Sequence, residues 1–210
     1  MGYRFAPDQF AVAIDDRAVA LDVAADRYRL LGPPAASALV ALERGETHPA
    51  FARLVAMGIL SHGSNEPGPL LPPVHASAIE RPPAMVATDL HFPSVGLAVC
   101  RAIVSLRVRG LRFALAAARR RAVATAIDPD RLIPLSQVYG RLRSMLPLHD
   151  ICLPDSLALH ALLCRRGLAS TLVIGVRLDP FMAHCWLQAG GIVLNDTCDH
   201  VSPYRPILHL

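Results

Sequence analysis

The sequence predicts an α+β chain in two folded parts, and three observations carry that expectation. Residues 8–31 alternate apolar and polar with period two in three short runs broken by acidic turns, the pattern of a small antiparallel sheet. A proline-rich stretch over 63–84 then interrupts regular structure. Residues 85–210 pass from helical patterns into a helix that opens on Cys152, followed by strands that carry His184 and Asp196. The chain has 210 residues, 53% of them apolar, so it can bury a sizeable core and is not a disordered segment.

The first part is residues 1–62. Phe10–Ile14 is a strand, Asp15-Asp16 turns, Ala18–Val23 is a second strand, Ala24-Ala25-Asp26 turns again, and Arg27–Leu31 is a third strand ending at Gly32. Alternation puts Tyr28 and Leu30 on one face and Arg27 and Arg29 on the other. Pro33-Pro34 suits a first helical turn, so a helix is expected to about Arg44, stopped by Gly45. A second helix is expected from Pro49 to Met57, with Phe51, Leu54 and Val55 on one face and Gly58 at its end. No residue here has a catalytic setting, and a three-strand meander with short helices makes a small binding module.

That layout resembles the winged-helix-like precursor-recognition element of peptide-modifying enzymes. The resemblance implies that the third strand and last helix hold a leader peptide as an added strand, with Arg27, Tyr28, Arg29, Leu30, Phe51 and Leu54 as the leader-binding residues. The physical logic is that an open sheet edge supplies backbone hydrogen bonds while neighbouring pockets read alternate side chains. The plainer reading is a subdomain that only packs on an enzyme.

The stretch 63–84 is expected to be a stiff linker, with the next domain starting near Ala84–Asp89. Residues 94–125 read as mostly helical. Arg101 to Arg121 holds seven arginines and no acid, which is either a solvated helix face or a docking surface for an acidic peptide or partner enzyme. Asp128-Pro129-Asp130 breaks the run, and Ser136–Leu146 is a further helix ended by Pro147.

The chemistry is concentrated from Cys152 onward. A thiol at a helix N-terminus feels the positive end of the helix dipole, which favours thiolate. The helix ends on Arg165-Arg166-Gly167, and the stretch Ala169–Val176 follows. In the strand Ala183–Gln188, His184 and Trp186 share one face, Cys185 and Leu187 the other. After Gly190-Gly191, the strand Ile192–Asp196 aligns Ile192, Leu194 and Asp196. Adjacent antiparallel strands can set a histidine beside an aspartate, which fixes the imidazole tautomer and stabilises imidazolium beside a thiolate. Asp199 is the reserve acid, with the opposite strand parity. The chain order Cys, His, Asp is that of papain-like and transglutaminase-like thiol enzymes.

The residues Cys152, Ser156-Leu157-Ala158-Leu159-His160, Leu163, Arg166-Gly167, Val173–Val176, Pro180–Trp186, Gly191–Asp196 and Tyr204–Ile207 resemble the B protein of lasso peptide biosynthesis. The resemblance implies a leader-recognition element fused to a papain/transglutaminase-like cysteine leader peptidase. It further implies Cys152 as nucleophile, His184 as base, Asp196 as orienting acid, a lasso precursor peptide as substrate, an asparagine-synthetase-like cyclase as partner, and ATP-dependent cleavage. Cys185 stands where small or apolar residues are more usual in that family; facing away, it is expected not to matter.

Other classes are weaker. His184, Cys185, Cys198 and His200 are candidate metal ligands by type, but adjacent His-Cys point to opposite faces of a strand, so no metal is expected. A non-catalytic peptide-binding chaperone or adaptor remains the alternative to an enzyme. The net charge of +4, carried by 21 arginines and no lysine, is too small to argue for nucleic acid. No Gly-x-x-x-x-Gly-Lys loop is present, so no bound cofactor is evident from the residues themselves. There is no signal-like apolar core and no membrane-spanning run, so a cytoplasmic protein is expected, its five cysteines reduced.

Overall fold

The computed structural model describes residues 2–63, 70–83, 89–121, 127–149 and 151–210. In chain order the elements are β1 (Tyr3–Phe5), β2 (Gln9–Ile14), β3 (Arg17–Asp22), β4 (Arg27–Leu31), α1 (Pro33–Glu43), α2 (Phe51–Ala56), β5 (Leu60–His62), β6 (Ala76–Ser77), α3 (Phe92–Arg121), α4 (Pro129–Ser144), α5 (Cys152–Cys164), β7 (Thr171–Arg177), β8 (Met182–Ala189), β9 (Ile192–Val193), α6 (Cys198–Val201) and β10 (Arg205–His209). Contacts divide the chain into two units. One is Met1–Leu70 with Val176–Met182 and Arg205–Leu208; the other is Leu71–Gly175 with Ala183–Tyr204 and His209–Leu210.

In the first unit, β2, β3 and β4 form an antiparallel meander. The turns sit where acidic residues tolerate positive φ: Asp15 at 54° and Asp26 at 50°. Ala18, Ala20 and Leu31 of the sheet pack with Ala38, Leu39 and Leu42 of α1 and with Phe51 and Leu54 of α2. Small alanines on β3 let α1 lie close over the sheet. A second, two-stranded sheet pairs β1 with β5, Tyr3 opposite His62. Neither strand is expected from the sequence, because three residues are too few to show alternation.

The second unit holds most of a five-stranded sheet in the order β10-β7-β8-β9-β6, with β8 and β9 antiparallel and β9 and β6 parallel. The stretch expected as linker therefore differs: Ala76–Ser77 is an edge strand, held by Ala78 N–H donating to the Val193 carbonyl at 2.7 Å. Prolines at 72, 73, 82 and 83 flank that strand without falling inside it. The remainder of the expected linker at 64–69, and the domain start at 84–88, lie outside the described residues.

Helix α3 is interrupted at Gly110, whose φ of 76° and ψ of 175° only glycine adopts readily. Helix α4 begins earlier than expected. Asp128 is its N-cap, accepting the Arg131 N–H, and Pro129 fills the first turn, so the Asp-Pro pair starts a helix instead of breaking one. On one face of the sheet Val173, Trp186, Val193, Val201 and Tyr204 form a compact cluster. Gly175 makes it possible: a Cβ there would come within 2.7 Å of the Trp186 ring and 2.9 Å of Tyr204 Cβ.

Candidate active site

Cys152 is the first residue of α5, so it sits among helical N–H groups without carbonyl partners. The N-cap, Ile151, has no side chain able to cap. Asp155 supplies that function by folding back: its Oδ2 accepts the Ile151 N–H at 3.1 Å. Its Oδ1 takes the Arg143 Nε–H at 2.6 Å in a largely buried ion pair. Arg143 also donates to the carbonyls of Leu148 (3.2 Å) and His149 (2.8 Å), and the Tyr139 hydroxyl donates to the Asp155 carbonyl at 2.9 Å. Helix α4 thus anchors both the approach to Cys152 and the first turn behind it.

His184 is on β8, its ring near-parallel to Trp186 at 6.1 Å, as alternation predicts. Its Nε2 hydrogen-bonds Asp196 Oδ2 at 2.6 Å. The His184 side chain and the N–H groups of Cys185 and Leu153 are near enough to the Cys152 sulfur to favour its thiolate. With Nε2 committed to Asp196, Nδ1 is the ring nitrogen left to meet the sulfur.

The electrostatics of the three groups agree. Burial works against a Cys152 thiolate, but the His184 hydrogen bond, the Cys185 N–H and the imidazolium charge outweigh it and hold the thiol below its ordinary value. Burial also opposes a charged His184, yet its bonds to Asp196 and Cys152 raise it from 6.5 to about 9. Burial would raise Asp196, but His184, His200 and the Thr197 N–H bring it down. All three shifts favour the charged forms, thiolate, imidazolium and carboxylate, the combination that an activated thiol nucleophile needs.

Asp196 reaches His184 by a different route from the one expected. Strand β9 ends at Val193, and Asp196 lies on a bend before α6. The bend is pinned by Ser77 Oγ–H donating to the Asp196 carbonyl at 2.6 Å and by the Thr197 N–H on Oδ1 at 2.8 Å. No alternation pattern can anticipate such side-chain ties.

Further polar residues complete the site. Leu187 N–H donates to Asn195 Oδ1 (2.7 Å), Asn195 Nδ2–H to Ser156 Oγ (2.9 Å), and the Ser156 hydroxyl to the Cys185 carbonyl (3.0 Å). Ser156 is fully buried. The signal for it in the sequence was a lone hydroxyl one turn after Cys152 in an apolar helix. The Cys185 side chain is buried, and burial and the Cys152 charge push its thiol up, so it stays an inert neighbour whose backbone serves the site. His160 is also buried, but it bonds Ser170 Oγ and the Ala118 carbonyl and is tied to the packing of α5 on α3.

Donor atoms of His184, Asp196 and His200 lie within 4.8 Å of one another, a spacing compatible with a metal ion. Each imidazole, however, aims at its own carboxylate oxygen at hydrogen-bond distance, and Cys198 is not in that group. Between α3 and α5 a groove of about 880 Å³ is lined by Arg101, Arg109, Arg120, Arg121 and Arg165, with Arg109 and Arg120 over the Phe113 ring, so part of the arginine run lines a concave surface.

The six expected leader-binding residues divide. Strand β4 is the edge of its sheet, and its outer side meets no strand among the described residues. Register places Leu31 opposite Ala18 and Arg29 opposite Ala20, both on the core face. Arg29 consequently turns inward, donating to Gln9 Oε1 (3.2 Å) and the Met57 carbonyl (3.4 Å), while Leu30 is 60% exposed and Arg27 exposed. Arg29 thus shares the core face with Leu31, and Leu30 lies on the opposite face. Tyr28 is half-buried against Phe181, ring centroids 5.4 Å apart. Leu54 is core; Phe51 is core and one wall of a pocket of about 350 Å³ with Tyr3, Thr47, His48 and Pro49.

A model of the transglutaminase-like superfamily matches residues 96–209. Over 45 residues, 21% of the chain, the sequence is 49% identical to the microcin J25-processing protein McjB of Escherichia coli, and the match covers 22% of that protein's length. These similarities agree with the resemblance to lasso peptide B proteins. No solved structure matches the chain. No helix among the described residues is long and apolar enough to cross a membrane.

Proposed function

We propose that this chain, which belongs to the transglutaminase-like superfamily, is a leader peptidase of lasso peptide biosynthesis that hydrolyses the leader–core amide of a ribosomally made precursor. The observation that carries this reading is the 2.6 Å bond between His184 Nε2 and Asp196 Oδ2, with His184 beside the Cys152 thiol at the start of α5. The similarity to a microcin-processing protein supports the substrate class.

In this mechanism the Cys152 thiolate attacks the scissile carbonyl, forming a C–S bond and an oxyanion beside the N–H groups at the start of α5. The His184 imidazolium gives its proton to the leaving nitrogen, the C–N bond breaks, and the core departs with a free amine. Neutral His184 then takes a proton from water, which attacks the thioester; the leader carboxylate leaves and the thiolate–imidazolium pair is restored. Asp196 stays ionised throughout and holds the imidazole. The chain has no Gly-x-x-x-x-Gly-Lys loop, so the ATP dependence that the resemblance implies would arise outside these residues.

Residues 1–62 are proposed to hold the leader along the open edge of β4, with Leu30, Tyr28 and Arg27 reading it. The freed core amine suits cyclisation by an asparagine-synthetase-like partner in the cytoplasm. Incubation with candidate precursors, followed by mass spectrometry of the fragments, tests the activity. The competing reading, a peptide-binding adaptor, predicts a Cys152 thiol with ordinary reactivity toward electrophiles and no cleavage.

A further inference from the structure

The titratable groups around His184 include one that the mechanism above does not use. His200 lies in the short helix α6, four residues after Asp196, and its Nδ1 meets Asp196 Oδ1 at 2.8 Å. Its ring stands 4.6 Å from that of His184, centroid to centroid, and edge-on to Tyr204 at 6.1 Å. The side chain is 55% exposed, so it is neither core filling nor required to complete a buried cluster.

We infer that His200 is a positioning residue for the cysteine peptidase site, a second histidine that fixes the rotation of the Asp196 carboxylate so that Oδ2 stays on His184. This rests on the peptidase reading. A carboxylate on one rotatable bond has two equivalent oxygens and swings unless both are held. Here Oδ1 is held from two directions, by the Thr197 N–H at 2.8 Å and by His200 Nδ1–H, leaving only Oδ2 for His184 Nε2 at 2.6 Å.

The local chain is built to bring His200 back. Thr197 caps α6, its Oγ1 accepting the His200 N–H at 3.2 Å, and the single turn returns residue 200 over residue 196. Against an ionised acceptor Nδ1 must donate, which fixes the tautomer of the neutral ring. The titratable groups facing this corner are His184 from β8, Tyr204 after α6, Asp196 before it, Asp199 within it, and Glu80, which accepts the Cys198 N–H. Asp196 is the one that His200 bonds.

If His200 is removed, Asp196 loses a restraint, His184 is held less firmly as imidazolium, and the Cys152 thiolate loses support. The test is the pH dependence of iodoacetamide alkylation of Cys152 in the full chain, followed by mass spectrometry, for wild type, His200→Ala and His200→Asn. Asn offers an amide N–H near the position of Nδ1. The expected result is a midpoint in His200→Ala raised by about half a pH unit or more, restored toward wild type in His200→Asn. Cleavage of precursor by His200→Ala should show kcat lower by about three- to tenfold with KM unchanged, a fraction of what acid–base catalysis supplies. An unchanged or lowered midpoint, or a shift that Asn does not rescue, overturns the inference while leaving the peptidase reading intact. A wild-type thiol that titrates like an ordinary cysteine overturns both.

Discussion

Asn195 Nδ2 donates to Ser156 Oγ at 2.9 Å, tying the residue before Asp196 to the helix that begins with Cys152. The same serine bonds the carbonyl of Cys185, next to His184. One buried hydroxyl therefore joins the three segments that carry Cys152, His184 and Asp196. Ser156→Ala leaves the Asn195 amide and the Cys185 carbonyl without their partner, at a cost of about 1–3 kcal/mol. The expected outcome is a lower Tm and a clear drop in kcat, both measured on the full chain, with leader affinity unchanged.

The pH–rate profile follows from the two shifted groups. Cys152 titrates below its ordinary value, so the acid limb of kcat/KM should lie below the usual thiol range. His184 is raised to about 9, so the proton it must donate to the leaving amine is lost only as pH climbs through about 9, where the alkaline limb should fall. The two limbs belong to the coupled pair. The same sign applies to stability: the contribution of charged His184 is complete below 6.5 and is lost as pH rises through about 9. Asp196→Asn should move the alkaline limb to lower pH and reduce turnover, though less than His184→Ala, because an amide orients imidazole without stabilising its cation. A profile unchanged by Asp196→Asn would remove that residue from the mechanism.

Arg143 carries the approach to Cys152. Its pairing with Asp155 is largely buried, and removing one partner of a buried pair costs about 3–5 kcal/mol. Arg143→Ala should therefore lower the urea midpoint strongly and, in whatever folds, slow alkylation of Cys152. Arg143→Lys should rescue only part, since an ammonium cannot span Asp155 and the two loop carbonyls at once.

How much of this was legible beforehand depended on the kind of signal. Strands β2, β3 and β4 and the opening of α5 on Cys152 follow from period-two alternation and helix-start chemistry, and the structure has them within a residue or so. The pairing of His184 with Asp196 was expected, but from two strands; the bend that delivers Asp196 depends on Ser77, 119 residues away, which no local pattern encodes. The two-residue β6 and β9 are too short for periodicity to show. On β4 the alternation is legible in the sequence, but which of its two faces is buried is not. Arginine on a core face is unusual, and only the register against Ala18 and Ala20 reveals it.

The edge of β4 gives a prediction for the leader. Arg27 is exposed, while Arg29 is engaged with Gln9 and Met57, so charge reversal at Arg27 isolates recognition from folding. With Cys152→Ala to prevent turnover, Arg27→Glu should weaken binding of a labelled acidic leader, more at low salt than at high salt. The alkylation rate of Cys152 in the Arg27→Glu single variant should not change. Equal affinity at both salt concentrations would argue that the leader lies elsewhere.

The most direct measurement is mass spectrometry of a precursor peptide after incubation with wild-type chain and with Cys152→Ala. The account predicts one cut at the leader–core junction, a leader fragment ending in a free carboxylate and a core with a free amine, from wild type alone. It also predicts a leader–enzyme thioester on Cys152 at early times. Cleavage by Cys152→Ala, or an intact precursor with wild-type protein that binds its leader, would contradict it.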